Sequence, residues 1–157
     1  GYYKNDAANA ESFRNGWFRT GDQGRFDSEG YLYIVGRFKD MVRRSGENIA
    51  CREVEWVIRS IPEIEDVAIV PVPDSYRGEE AKAYIQLMPG ATPEEMPPER
   101  IIAHCAKQLA PFKVPRYYEY RADFPRTDSQ RVQKRELIKE KPDLRVGSYD
   151  RQEKRWL

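Results

Sequence analysis

The stretch Pro125-Arg126-Thr127-Asp128-Ser129-Gln130-Arg131-Val132-Gln133-Lys134 sets a run of small polar residues ahead of a basic residue and the start of an amphipathic helix. That layout suits a loop presenting one cation to a phosphate, where a fixed positive charge stabilises charge that develops during transfer. Two cations compete for the role, Arg131 and Lys134. Three residues apart, they point to opposite faces of an extended segment but to the same face of a helical one. Other chemistries are poorly supplied. His104 is the only histidine, so neither a multi-histidine metal site nor a Ser-His-Asp triad is expected. Cys51 and Cys105 stand far apart with no Cys-x-x-Cys or Cys/His spacing, which predicts no metal ligands and no disulfide framework. Tyr117, Tyr118 and Tyr120, interleaved with Arg116 and Arg121, would suit stacking on single-stranded nucleic acid. A strand packed on a helix explains the same alternation at less cost, so no nucleic-acid partner is expected.

The elements that must position these residues fit one modest domain of 157 residues, with 39% hydrophobic and 34% charged side chains. The net charge of +1 conceals an asymmetry: residues 111–157 carry a net +5 and residues 1–110 a net −4. A basic end of this size suits an anionic small molecule or an acidic protein face. No signal peptide, lipidation motif or long apolar run is present, so no membrane span and a cytoplasmic location are expected.

Residues 1–38 read as the end of something larger. Ala7–Phe13 suggests a short helix with little to pack on, and Asp27-Ser28-Glu29-Gly30 is a turn before a β-rich run, Tyr31–Val35. A lone hairpin is marginal, so a sheet upstream is expected to complete it. Beyond Asp40, Glu47-Asn48 reads as a turn. Val54, Val57, Ile58 and Ile61 recur at helical spacing until Pro62. Ile64–Asp74 reads as a buried strand whose Pro71 and Pro73 put its far end at an edge or at the exit from the sheet. Residues 79–90 alternate Ala81, Ala83, Ile85 and Leu87 against Lys82, Tyr84 and Gln86, which predicts a strand with one wet face. A helix over 98–110, a strand at 116–121, a short helix over 134–140 and a charged, mobile tail over 141–157 complete the chain. The fold class is α+β: a three-stranded sheet with flanking helices over 39–140.

Three stretches carry a resemblance. Gly16-Trp17-Phe18-Arg19-Thr20-Gly21-Asp22, the run Gly36-Arg37-Phe38-Lys39-Asp40 through Ser45-Gly46-Glu47-Asn48-Ile49, and Pro125–Leu137 occur in this order. Together they resemble the C-terminal part of adenylate-forming enzymes: acyl- and aryl-CoA synthetases, luciferases and peptide-synthetase adenylation domains. The look is closest to acyl-CoA ligases of the crotonobetaine/carnitine group. The resemblance implies the C-terminal portion of an ATP-dependent ligase that forms an acyl-adenylate and then a CoA thioester. It implies ATP, CoA and Mg²⁺ bound mainly by residues upstream, a carboxylic acid substrate, and no activity from this segment alone. A carrier-protein thiol as acceptor and a non-catalytic binding module stay open as alternatives.

Carried over by position, Asp22 matches the aspartate that holds the ribose hydroxyls; an ionised carboxylate can accept from both. Arg37 matches a ribose and phosphate contact, and Lys39 the hinge about which the small domain swings, a place where backbone torsions must change freely. Arg43 and Gly46 match the loop brought to the site for thioester formation, where glycine lets backbone approach a substrate arm closely. The third motif normally reads Ser-Gly-Lys, and here Gln130 and Arg131 stand for its Gly and Lys. Arginine keeps the charge but replaces a point donor with a planar fork. Three readings follow: Arg131 does the work with altered geometry, Lys134 takes it over, or adenylation is slow or lost. Thr127-x-x-Gln130 also fits a helix capping box.

Overall fold

The Asn5 carboxamide oxygen accepts the Ala8 N–H at 3.0 Å and caps helix α1, Asp6–Ser12. The computed structural model describes residues 1–157 and divides them into two units, Gly1–Lys39 and Asp40–Leu157. In the first, α1 is followed by the short antiparallel pair β1 (Phe13–Arg14) and β2 (Trp17–Phe18). A second hairpin joins β3 (Asp22–Phe26) to β4 (Leu32–Arg37). Its turn is closed by the Asp27 carboxylate, which accepts the Glu29 and Tyr31 N–H groups at 2.9 and 3.0 Å. Phe26, Tyr31, Leu32 and Ile34 are all exposed.

The second unit opens with a hairpin of β5 (Met41–Arg44) and β6 (Glu47–Ala50). The turn sits at Ser45-Gly46, with φ of +49° and +85°, and not at Glu47-Asn48 as the sequence reading had it. Two consecutive left-handed residues are what a two-residue hairpin loop needs to follow the strand twist. Helix α2 (Cys51–Arg59) then buries Cys51, Val54, Val57 and Ile58. Strands β7 (Ile64–Asp74) and β8 (Gly78–Leu87) pair antiparallel along their whole length, and β7 pairs with nothing else, which leaves Pro71 and Pro73 on an edge. Helix α3 (Pro98–Gln108) is the crossover that lets β9 (Tyr117–Arg121) run parallel to β8. Helix α4 (Lys134–Lys139) precedes two short strands, β10 (Tyr149–Asp150) and β11 (Arg155–Trp156). The result is a mixed sheet of seven strands, so the α+β class holds with more strands than the three expected. No helix is long and apolar enough to cross a membrane.

Both faces of this sheet are covered. Val67, Ile69, Ala83 and Ile85 face α2 and α3 in the main core. Ala68, Val70 and Tyr84 pack on Phe124 and Leu137, and Val72 and Tyr117 on Leu144. The wet face expected for β8 is therefore dry: Lys82 and Tyr84 are completely buried. The Lys82 ammonium meets the Glu119 carboxylate at 2.6 Å and also donates to the Leu144 carbonyl. Lys141 reaches both Glu119 oxygens at 2.8 Å. Burial pushes Lys82 down to about 8, against the opposing pull of Glu119.

The tail expected to be mobile is part of the sheet. Tyr149 and Asp150 pair with Tyr118 and Tyr117, and buried Asp150 accepts from Arg116 Nη2 at 2.9 Å. Tyr117 and Tyr118 are thereby buried in the sheet, which removes them as a stacking platform.

Candidate functional site

The hairpin register of the first unit sets Asp22 directly opposite Arg37. Arg37 Nε donates to Asp22 Oδ1 at 2.6 Å, which leaves Oδ2 as a free acceptor. The Asp22 side chain is 23% exposed and that of Arg37 63%, so the pair is open to a ligand. Thr20 Oγ1 accepts the Asp22 N–H at 3.1 Å and fixes the entry to β3. Alongside lies a cavity of about 390 Å³ whose wall includes Arg19, Thr20, Gly21, Arg37 and Lys39. Arg37 links the Asp22 carboxylate to this cavity, whose wall carries three cations against the single carboxylate of Glu11, a balance that suits a hydroxylated, anionic ligand. Lys39 is the last residue of this unit, and its ammonium lies 3.9 Å from Glu11 on an exposed surface.

In the second unit, Gly46 sits at the tip of the β5–β6 hairpin with no atom near the space a Cβ would fill. Arg43 is exposed on β5, and its N–H donates to Glu79 Oε2 at 2.7 Å. The tip is thus an open, tightly turned element with a cation at its base.

Thr127–Arg131 forms a turn of its own and not a capping box. Gln130 N–H donates to Thr127 O at 2.8 Å, and Thr127 N–H to Arg131 O at 2.9 Å, closing the loop into the bridge between Arg126 and Val132. Helix α4 begins later, with Gln133 as its N-cap. The base of the loop is tied to the sheet where Arg126 Nη2 donates to Asp66 Oδ2 at 2.7 Å. Gln130 lies at φ +61°, the left-handed region, which costs a side-chain-bearing residue about 1–2 kcal/mol. This is the physical reason a glycine suits the position. Gln130→Gly is expected to raise stability by about 0.5–1 kcal/mol, because part of the relief is offset by glycine's freedom in the unfolded chain. A thermal melt of the variant checks it; an unchanged or lower melting temperature would mean that the strain is no larger than glycine's entropic cost.

The two competing cations have different surroundings. Arg131 is exposed, its backbone N–H donating to Thr127 Oγ1 at 3.2 Å. Lys134 is enclosed: its Nζ lies 2.6 and 2.8 Å from the two Asp40 oxygens and 2.6 Å from Glu55 Oε1. Glu55 in turn accepts the Ile69 N–H at 2.8 Å. Burial alone would lower the Lys134 pKa, but the Glu55 and Asp40 carboxylates outweigh it and hold the ammonium above its ordinary range. Lys134 therefore clamps the start of the second unit to α2 and the sheet. The stabilisation holds below the ordinary lysine pKa and is lost only as pH rises through the raised folded value. Lys134→Met is expected to cost about 1–3 kcal/mol, since two partly buried carboxylates lose their partner. Urea unfolding at neutral pH measures it, and a change under about 0.5 kcal/mol would contradict the clamp. Sequence reasoning missed Asp40 and Glu55; only the helical phase that sets Glu55 off the apolar stripe of α2 hinted at a role.

No group of three or more His, Cys, Asp or Glu side chains is placed to hold a metal. Cys51 and Cys105 are buried, and burial pushes the Cys51 thiol up out of the reactive range and the Cys105 thiol up to about 12.

A 38% identical relative over 143 residues is a long-chain-fatty-acid–CoA ligase of Bacillus subtilis (strain 168), matched over 91% of this chain and 25% of the relative. A crotonobetaine/carnitine–CoA ligase of Proteus mirabilis (strain HI4320) is 41% identical over 136 residues, 87% of this chain and 26% of its own length. The chain thus spans about a quarter of these relatives. Among solved structures, o-succinylbenzoate CoA synthetase from Bacillus subtilis, in complex with its acyl-adenylate intermediate, superposes with a TM-score of 0.77 at 32% identity. That match covers 90% of this chain and 28% of the synthetase. An amide bond synthetase from Marinactinospora thermotolerans gives a TM-score of 0.79 at 32% identity, over 88% of this chain and 28% of its own. Residues 53–131 match the model of the AMP-binding enzyme C-terminal domain, and the chain belongs to that family.

Proposed function

We propose that this chain is the C-terminal portion of a longer AMP-forming acid–thiol ligase. In the first half-reaction a carboxylate oxygen attacks the α-phosphorus of ATP, and pyrophosphate leaves. In the second a CoA thiol sulfur attacks the acyl carbon, AMP leaves with the bond electrons, and the thiol proton is released. What carries the reading is the family match, which ends at Arg131, the exposed cation on the Thr127–Arg131 turn. Arg131 bridges the carboxylate and the α-phosphate, where one well-placed cation offsets the charge that gathers as pyrophosphate departs. Lys134 does not take over this work, because its ammonium is committed to Asp40 and Glu55. Asp22 Oδ2 accepts from the ribose, and Arg37 both fixes Asp22 and faces the phosphates.

Residues 1–38 belong to the end of the larger ATP-binding domain, which supplies the rest of the nucleotide and acyl sites; the exposed apolar side chains of the β3–β4 hairpin support this. Lys39 is the hinge. The mobile body begins at Asp40, the residue held by Lys134, so motion ahead of the clamp leaves the sheet intact. Arg43 and Gly46 serve the thiol half-reaction. Mg²⁺ enters with the triphosphate.

Incubating the longer protein with ATP, Mg²⁺ and a panel of carboxylates, with and without CoA, tests the reading. Equal amounts of AMP, pyrophosphate and CoA thioester are expected with CoA and one of the acids. Thioester formed only when a carrier protein replaces CoA would transfer the acceptor role, and ADP in place of AMP would overturn the reaction class. Because one neighbour is an amide bond synthetase, an arm with an amine in place of CoA is run as well, and amide formed there without thioester would transfer the acceptor role to the amine.

A further inference from the structure

We infer that Glu80 is a positioning residue for the acceptor half-reaction, acting through the β5–β6 hairpin; the inference rests on the reading above. The Glu80 side chain is 2% exposed, unusual for a carboxylate, and it lies between two arginines. Arg44 Nε donates to Glu80 Oε2 at 2.7 Å, and Arg77 Nε lies 3.2 Å from Oε1. Arg44 is itself only 11% exposed and immediately precedes the Ser45-Gly46 turn. The same corner is closed by the Ser45 N–H donating to Arg77 O at 2.8 Å and by the pairing of Arg44 with Gly78.

The sheet alone does not hold this hairpin. β5 meets β8 at one residue pair, whereas β7 meets β8 over its full length. The two-residue loop is stiff in itself, but the direction in which the hairpin leaves the sheet depends on side chains. Glu80 sits on β8 opposite Val72 of β7, two residues before the pairing of β8 with β9 begins at Lys82, so it is a fixed point from which Arg44 can be aimed. Neutralising the carboxylate leaves two arginines facing each other with no anion between them; the hairpin keeps Val42 and Ile49 in the core and its Arg43 N–H and Ser45 N–H bonds, but loses the side-chain tie that aims its tip. Gly46 and Arg43 move with it, while the Thr127–Arg131 turn hangs on Asp66 through Arg126 and is untouched.

The two half-reactions should therefore separate. In the longer protein, Glu80→Gln is expected to slow thioester formation from preformed acyl-adenylate and CoA by about 10- to 100-fold. Adenylate formation with pyrophosphate release should stay within about twofold. Arg44→Gln cuts the same tie from the hairpin side and should show the same split if Glu80→Gln folds poorly. Glu80→Asp, which keeps the charge, should recover part of the rate. Amide exchange at Ser45, read on the same proteins, should accelerate about tenfold or more in both neutral variants, independently of any chemistry. Equal losses in both half-reactions, or none in either together with unchanged Ser45 exchange, would overturn the inference. Failure of the wild type to release pyrophosphate with any acid is a separate result: it removes the ligase reading, while the exchange data still decide whether Glu80 holds the hairpin.

Discussion

Glu119→Ala is expected to cost about 3–5 kcal/mol of stability at neutral pH, because it leaves the fully buried Lys82 ammonium without a counter-charge. Lys82 would keep only the Leu144 carbonyl and the face of Tyr84, whose ring centroid is 4.2 Å away. Lys141 would lose the same carboxylate, but at 30% exposed it can turn to water, and its share of the cost is small. The pH dependence follows from the direction of the Lys82 shift. Its folded pKa, about 8, lies below the ordinary 10.5, so between those values the unfolded chain binds a proton that the folded chain has released. Stability contributed by this group therefore rises with pH across that window. Removing Glu119 lowers the folded value further and widens the window towards neutral pH. The deficit of the variant against wild type should accordingly shrink between pH 7 and 9.5. Denaturant unfolding at the two pH values measures it, and a deficit under about 1 kcal/mol that does not change with pH would contradict a charged Lys82 held by Glu119.

The second large effect concerns Arg131. Arg131→Ala in the longer protein should slow pyrophosphate release by about 10²–10³-fold, the usual consequence of removing one preorganised charge donor at a transferring group. Stability should hardly change, because the side chain is exposed. Arg131→Lys keeps the charge and should retain most of the rate, since the turn places the Cα of this residue and either cation can reach outward from it. The contrast with Lys134→Met is the informative part: there the loss falls on stability and not on the adenylation step.

How far the sequence reaches differs from element to element. The strand Ile64–Asp74 and the helix from Cys51 were readable because their patterns are local: a continuous apolar run ended by prolines, and an apolar stripe at helical spacing. The same local rule misread β8. Lys82, Tyr84 and Gln86 alternate with apolar residues as a solvated face would. Yet Lys82 is buried by a carboxylate 37 residues away and a carbonyl 62 residues away, and no short window holds that information. The tail misled for a related reason. Asp150 and Lys141 look solvated as part of a charged run, but each meets an oppositely charged group on the sheet side, Arg116 and Glu119 respectively. Tyr149 and Trp156, large aromatics in so charged a stretch, were the signal that it packs.

The candidate site divides in the same way. The positions of Asp22, Arg37, Gly46 and Arg131 came from motifs, and the structure supplies their surroundings: a facing pair, an open hairpin tip and an exposed turn. Spacing alone could not separate Arg131 from Lys134, because one group that holds Lys134 is Asp40, 94 residues away in sequence. The departure at Gln130 was legible as a substitution but not as strain, since strain needs the backbone angle.

Arg131 is tested as the active cation by a single-turnover measurement of ATP-dependent pyrophosphate release by the longer protein, saturated with its best carboxylate and lacking CoA. Wild type, Arg131→Ala and Lys134→Met are compared at a temperature where all three are folded. A loss of about 10²–10³-fold confined to Arg131→Ala, with Lys134→Met within a few-fold of wild type, is the expected result. Full activity in Arg131→Ala, or a collapse confined to folded Lys134→Met, would contradict the assignment of the active cation to Arg131.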